Sequence, residues 1–111
     1  MDENVRAAKR VLVIGIAIDD MSMSPVASLA PDGTLILMEG DPVRAERARR
    51  LFSEAGMALR ATVIGGDPRR MMYKLAGPFD AIFCDAAYLS ARDLLDKLLA
   101  PTGVLIANDR T

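Results

Sequence analysis

The residues of this chain best suited to chemistry are acids and small residues that close apolar runs. Gly15 follows Val11-Leu12-Val13-Ile14, Glu39 and Gly40 follow the run 34–38, Asp67 follows Gly65-Gly66, Asp85 ends the run 81–84, and Asn108-Asp109 follow 104–107. A carboxylate can accept hydrogen bonds from two adjacent hydroxyls at once, and an acid at the tip of the second strand of a βαβ unit is where such units hold a ribose. Glu39 has that place. Asp85 closes a strand at its carboxyl end, the edge where open parallel sheets put their ligands. The chain has no histidine, so histidine-based triads and the usual Cys/His zinc spacings are excluded. Cys84 is the single cysteine and lies inside an apolar run, which reads as an inert buried thiol.

Composition sets the frame for these groups. At 111 residues and 51% hydrophobic, the chain can bury one small core, and residues 1–111 read as a single domain. Fourteen Lys and Arg against fifteen Asp and Glu leave a net charge of −1, so no nucleic-acid partner is expected. No run approaches the roughly 20 apolar residues of a membrane span, and residues 1–10 carry no signal-like apolar stretch, so no membrane partner is expected either. One unpaired cysteine points to a reducing setting, and a cytoplasmic location is the expectation.

The elements that must position the acids follow from the pattern. Residues 11–16 are apolar on both alternating faces, as a central parallel strand should be. Ser24-Pro25 begins a short helix with serine as its cap, Pro31-Asp32-Gly33 reads as a turn, and residues 34–38 form a second buried strand. Asp41-Pro42 caps an amphipathic helix with Ala45, Ala48, Phe52 and Ala55 inward, stopped by Gly56. Residues 60–65 are a third strand, and Gly66-Asp67-Pro68 leads to a short helix with Met71, Met72 and Leu75 inward. A fourth strand covers 80–85. Ser90 to Asp93 resembles a capping box ahead of a helix with Leu94, Leu95, Leu98 and Leu99 inward, Pro101-Thr102-Gly103 stops it, and 104–107 is a fifth strand. Five strands alternating with four helices predict an α/β, Rossmann-like, doubly wound parallel sheet of order 3-2-1-4-5. All the polar residues singled out then gather on its carboxyl edge.

Taken in order, Val11-Leu12-Val13-Ile14-Gly15, Pro31-Asp32-Gly33-Thr34, Glu39-Gly40-Asp41-Pro42, Gly66-Asp67, Gly77-Pro78-Phe79-Asp80, Phe83-Cys84-Asp85-Ala86 and Pro101-Thr102-Gly103-Val104-Leu105 resemble the core of class I S-adenosylmethionine-dependent methyltransferases. Within that class they are most similar to the cation-dependent O-methyltransferases of the catechol and caffeoyl-CoA type, over about residues 5–111. The resemblance implies S-adenosylmethionine as cofactor, Mg2+ or another divalent cation, and a small-molecule hydroxyl as methyl acceptor. It implies that Glu39 and Gly40 hold the ribose, that Gly15 with Ala17 and Asp19 passes under the methionine part, and that Asp67 faces the adenine. Asp85 takes the catalytic and metal position, with Asn108 and Asp109 as further metal ligands.

The chain also departs from the family. Val13, Ala17 and Asp19 stand where the family carries an acid and alternating glycines. Asn108-Asp109 reverses the usual pair, and Ala87 and Tyr88 align with a second acid and a lysine. The family's N-terminal helices and its terminal antiparallel hairpin are lacking. A bare fifth strand predicts a homodimer or a partner chain on that edge. The alternative to an enzyme is a catalytically inactive binding or assembly module of the same fold, its pocket filled by Ile18, Asp19 and Met21. A receiver-like phosphoacceptor domain, with Leu37 to Pro42 and Asp85 on that pattern, would leave 11–33 as an unexplained extra unit.

Overall fold

A computed structural model describes residues 8–108. Five strands make one parallel sheet: β1 (Ala8–Ile14), β2 (Leu29–Glu39), β3 (Ala61–Gly65), β4 (Phe79–Asp85) and β5 (Leu99–Asn108), in the order β3-β2-β1-β4-β5. Between them run α1 (Ser24–Ala27), α2 (Pro42–Glu54), α3 (Pro68–Met71) and α4 (Arg92–Leu98), with 3-10 turns at Met72–Lys74 and Ala86–Ala91. The expected strand order is the one observed. Because β1 is the central strand, the stretch 11–33 is no appendage, which removes the receiver-like reading. Among the described residues every strand pairing is parallel, and no helix is long and apolar enough to cross a membrane.

Alternation along β1 explains its unbroken apolar run. Val11 and Val13 belong to one buried cluster with Leu35, Leu37, Ala48, Phe52 and Phe83, whereas Leu12 and Ile14 belong to the other with Met38, Met72, Ile82, Cys84 and Leu95. Helix α2 covers the first face through Ala45, Ala48 and Phe52; α4 covers the second through Leu95 and Leu98. Ala55, expected inward, is exposed beyond the helix end.

Several boundaries differ from the sequence expectation. Pro31-Asp32-Gly33 and Pro101-Thr102-Gly103 are not turns between elements: each is an irregularity inside a longer strand, where the register jumps from Ala8↔Leu29 to Arg10↔Thr34 and from Phe79↔Leu99 to Ala81↔Val104. Glycine is required at both, since a Cβ on Gly33 would stand 2.8 Å from Ala8 O and one on Gly103 2.9 Å from Phe79 O. The first helix is entered from Met23 with no side-chain cap, so Ser24 is not its cap. Helix α4 follows Ala91 without one either, because the Ser90 hydroxyl donates to Ala87 O instead (3.2 Å).

At the amino end of the sheet, Asp80 Oδ2 accepts from the backbone N–H groups of Lys9 (2.9 Å) and Arg10 (3.0 Å). Asp80→Ala leaves both amides to water or to no partner, and is expected to cost about 1–2 kcal/mol in urea unfolding.

Acid sensitivity is written into the caps. Asp41 accepts from Val43 N–H and Arg44 N–H at the start of α2, and those bonds hold its carboxyl below the ordinary aspartate range; the Lys9 ammonium does the same for Asp32, and Ser22 for Asp20. A carboxyl whose folded pKa lies below its unfolded one adds stability above the unfolded value, and that contribution disappears as pH falls through the folded one. Urea midpoints are therefore expected to fall on acidification below the ordinary aspartate pKa. Asp41→Asn, which still caps but cannot ionise, is expected to flatten the decline.

Candidate functional site

Register brings the ends of the strands level. Ile14 pairs with Met38 on one side and Cys84 on the other, Glu39 pairs with Gly65, and Asp85 pairs with Asn108. Gly15, Glu39, Gly66-Asp67, Asp85 and Asn108 thus stand along one carboxyl rim, as the sequence predicts. Asp109 lies outside the described residues.

Glu39 is the centre of this rim. It is 3% exposed, one of two buried polar residues among those described. Its Oε1 accepts from Asp41 N–H (3.0 Å) and lies 3.7 Å from Arg44 Nε, which is also 3.4 Å from Asp41 Oδ2. Its other oxygen, Oε2, is buried with no hydrogen-bond partner. An unpaired buried carboxylate oxygen is costly, and such groups mark places where a ligand's donor belongs. A side chain at Gly40 would touch Gly66 O (3.4 Å) and Pro68 Cδ (3.7 Å), so the loops after β2 and β3 lie close together.

Gly15 turns the chain away from the sheet with φ +72, its N–H donating to Met38 O (3.2 Å). Above it stands Tyr88, whose three atoms are the nearest to a Cβ placed on Gly15, Cε2 at 2.5 Å. Ile18, Asp19 and Met21 do not fill this space. Ile18 is buried in the α2-side cluster, Met21 packs against that cluster, and Asp19 is exposed with Arg47 Nη1 4.0 Å away. The loop after β1 folds down onto the sheet face because Ile16 and Ile18 are apolar. Asp19 is carried outward with it, and Ala17 is left half-buried.

Asp67 and Asp85 each accept the N–H two residues on, from Arg69 (3.0 Å) and Ala87 (2.9 Å), and so begin the elements that follow. Both also act on Tyr88. Burial pushes its phenol pKa up, the carboxylates of Asp67, Glu39 and Asp85 push the same way, and the Arg69 guanidinium opposes them. Three acids at or just after the ends of three strands therefore act on one phenol. Tyr88, Arg69 and Arg44 carry no sequence signal for this place beyond Tyr88's position three after Asp85.

Asp85 and Asn108 are register partners at the ends of β4 and β5, the positions that the sequence assigns to a divalent cation. No group of three or more acidic, cysteine or histidine side chains that could hold a metal occurs among the described residues.

A parallel sheet of this order, with a glycine turn after β1 and a buried acid ending β2, defines a class I methyltransferase fold. Comparison with known proteins gives the family: the O-methyltransferase family model matches residues 1–111, and the chain belongs to that family. Catechol O-methyltransferase of Mycobacterium tuberculosis is 36% identical over 80 residues, covering 71% of this chain and 36% of that protein. The O-methyltransferase TomG from Streptomyces achromogenes, involved in tomaymycin synthesis and solved in complex with S-adenosylmethionine, superposes with a TM-score of 0.79 at 27% identity, covering 94% of this chain and 50% of that one. An O-methyltransferase from Bacillus cereus, solved with S-adenosylhomocysteine, shares the fold with a TM-score of 0.80 at 22% identity, again over 94% and 50%. The chain spans about half the length of these solved structures.

Proposed function

We propose that this chain binds S-adenosylmethionine along its carboxyl rim and serves methyl transfer to a hydroxyl oxygen of a small molecule. The observation that carries the reading is Glu39 Oε2, a buried carboxylate oxygen without a partner at the tip of β2. Two neighbouring ribose hydroxyls are donors of the kind it lacks. Membership of the O-methyltransferase family and the S-adenosylmethionine bound to TomG support the choice of ligand.

In this reading Glu39 and Gly40 take the ribose, Gly15 with Ala17 borders the methionine part while Asp19 turns outward to Arg47, and Asp67 stands on the adenine side. When bound, S-adenosylmethionine supplies a sulfonium methyl open to in-line attack by an oxygen nucleophile. Asp85, at the end of β4, is the proposed catalytic residue. Asp85 and Asn108 are also the proposed metal ligands, since magnesium is commonly held through one or two protein oxygens with water completing its shell.

Calorimetric titration tests the proposal. S-adenosylmethionine and S-adenosylhomocysteine are each expected to give saturable one-to-one heats. Magnesium alone is expected to give a weak heat that Asp85→Ala abolishes. No heat from either adenosyl ligand, with the chain folded by circular dichroism, would overturn the cofactor reading.

The edge of the sheet is proposed as the seat of a second copy. β5 is one of its two edge strands among the described residues, with Val104, Leu105 and Ile106 half-buried, and an edge strand offers backbone groups to pair. Light scattering at micromolar concentration is expected to give a dimer mass; a monomer would contradict this.

A further inference from the structure

The ring of Tyr88 meets Gly15 edge-on. From a Cβ position on Gly15, Cε2 lies at 2.5 Å and its two ring neighbours at 3.3 and 3.4 Å, nearly equal distances that place the Cε2 edge foremost. The ring is held there. Arg69 lies over it, its guanidinium carbon 5.0 Å from the ring centroid, while Nη1 donates to Ser90 Oγ (2.9 Å) and Nη2 to Ala87 O (3.2 Å). One guanidinium therefore grips both the ring and the turn on either side of Tyr88. Beneath, the ring packs against the cluster of Leu12, Ile14 and Met38. A tyrosine phenol is neutral at pH 7, and burial followed by nearby acids pushes it further that way, so Tyr88 stands as a neutral aromatic body. A groove of about 400 Å3 lined by Arg69, Met72 and Ser90 adjoins the turn.

Building on the reading of this rim as an adenosyl-ligand cleft, we propose that Tyr88 is the specificity-determining residue at its methionine end, with Arg69 as its latch. The ring fills the space over Gly15, and a ligand with a chain beyond its ribose binds only when the ring swings aside. A ligand that ends at the ribose makes no such demand. The apparent affinity for the longer ligand is lowered by the fraction of molecules with the ring displaced.

Adenosine and S-adenosylhomocysteine, titrated calorimetrically into the wild-type chain, Tyr88→Ala, Tyr88→Phe and Arg69→Ala, separate the cases. If the ring is displaced in about a tenth of molecules, Tyr88→Ala raises S-adenosylhomocysteine affinity about tenfold and leaves adenosine unchanged. Tyr88→Phe, which keeps the ring, is expected to match wild type, and Arg69→Ala to fall between. Arg69→Ala is a surface change, and it carries the test should Tyr88→Ala not fold. Weaker S-adenosylhomocysteine binding in Tyr88→Ala would overturn the proposal by making the ring a contact. Equal shifts for both ligands, or a Tyr88→Phe that behaves like Tyr88→Ala, would overturn it too. In these cases the cleft itself stands, because adenosine still binds. Failure of both ligands with every folded variant would instead remove the cleft and the proposal together.

Discussion

Glu39→Gln is expected to weaken S-adenosylhomocysteine binding by about a hundredfold while leaving the chain folded. The free oxygen Oε2 is the acceptor proposed for the ribose, and hydrogen bonds to a charged acceptor contribute about 1.5–3 kcal/mol each. Glutamine keeps the shape and the Oε1 acceptor that holds Asp41 N–H, but replaces a charged acceptor by an amide that also donates. One such bond lost at about 1.4 kcal/mol per decade gives ten- to a hundredfold, and two adjacent hydroxyls favour the upper end. Thermal shift provides the control. A ligand at 100 times its Kd stabilises the wild type by about 2.7 kcal/mol, and the variant is expected to lose most of that shift without a comparable loss of its own stability. An unchanged ligand shift in Glu39→Gln would place the ribose elsewhere.

Gly15→Ala is expected to be the most damaging single methyl on this rim. Two costs add. A left-handed backbone at φ +72 disfavours an L side chain by about 1–2 kcal/mol, and a Cβ 2.5 Å from Tyr88 Cε2 overpacks the site by about 1–3 kcal/mol. In a domain of this size the sum corresponds to a fall in Tm of order 10 °C. Gly56→Ala separates the two, because Gly56 has φ +75 with nothing within 4 Å of its Cβ position, so only the backbone cost applies. The double variant Gly15→Ala/Tyr88→Ala is expected to recover the overpacking part alone. Urea unfolding of the four chains measures the coupling, and additivity of Gly15→Ala and Tyr88→Ala would contradict the contact.

What could be read from the sequence and what could not divide along a physical line. Strand ends were legible at Gly15, Glu39 and Asp85 because apolar runs stop there and parallel strands in register must bring such stops level. The cap at Asp41 was legible because a capping carboxylate and a following proline are local signals. The Pro-Asp-Gly and Pro-Thr-Gly sequences carry equally strong local turn signals, yet both sit inside strands, since the neighbouring backbone that crowds Gly33 and Gly103 comes from distant residues. The alternative of a pocket filled by Ile18, Asp19 and Met21 fails on a tertiary detail: the burial of Ile18 in the α2-side cluster sends Asp19 outward beside Arg47. Tyr88 reaches Gly15 across 73 residues only because β1 and β4 are neighbours and the turn after Asp85 bends back over β1, a direction that periodicity does not encode.

The most direct test is a crystal structure of the chain with S-adenosylhomocysteine. It is predicted to show both ribose hydroxyls within hydrogen-bond distance of Glu39, one of them on Oε2, with the Tyr88 ring moved off Gly15. An adenosyl group bound away from the end of β2, with Oε2 still unpaired, would contradict the account.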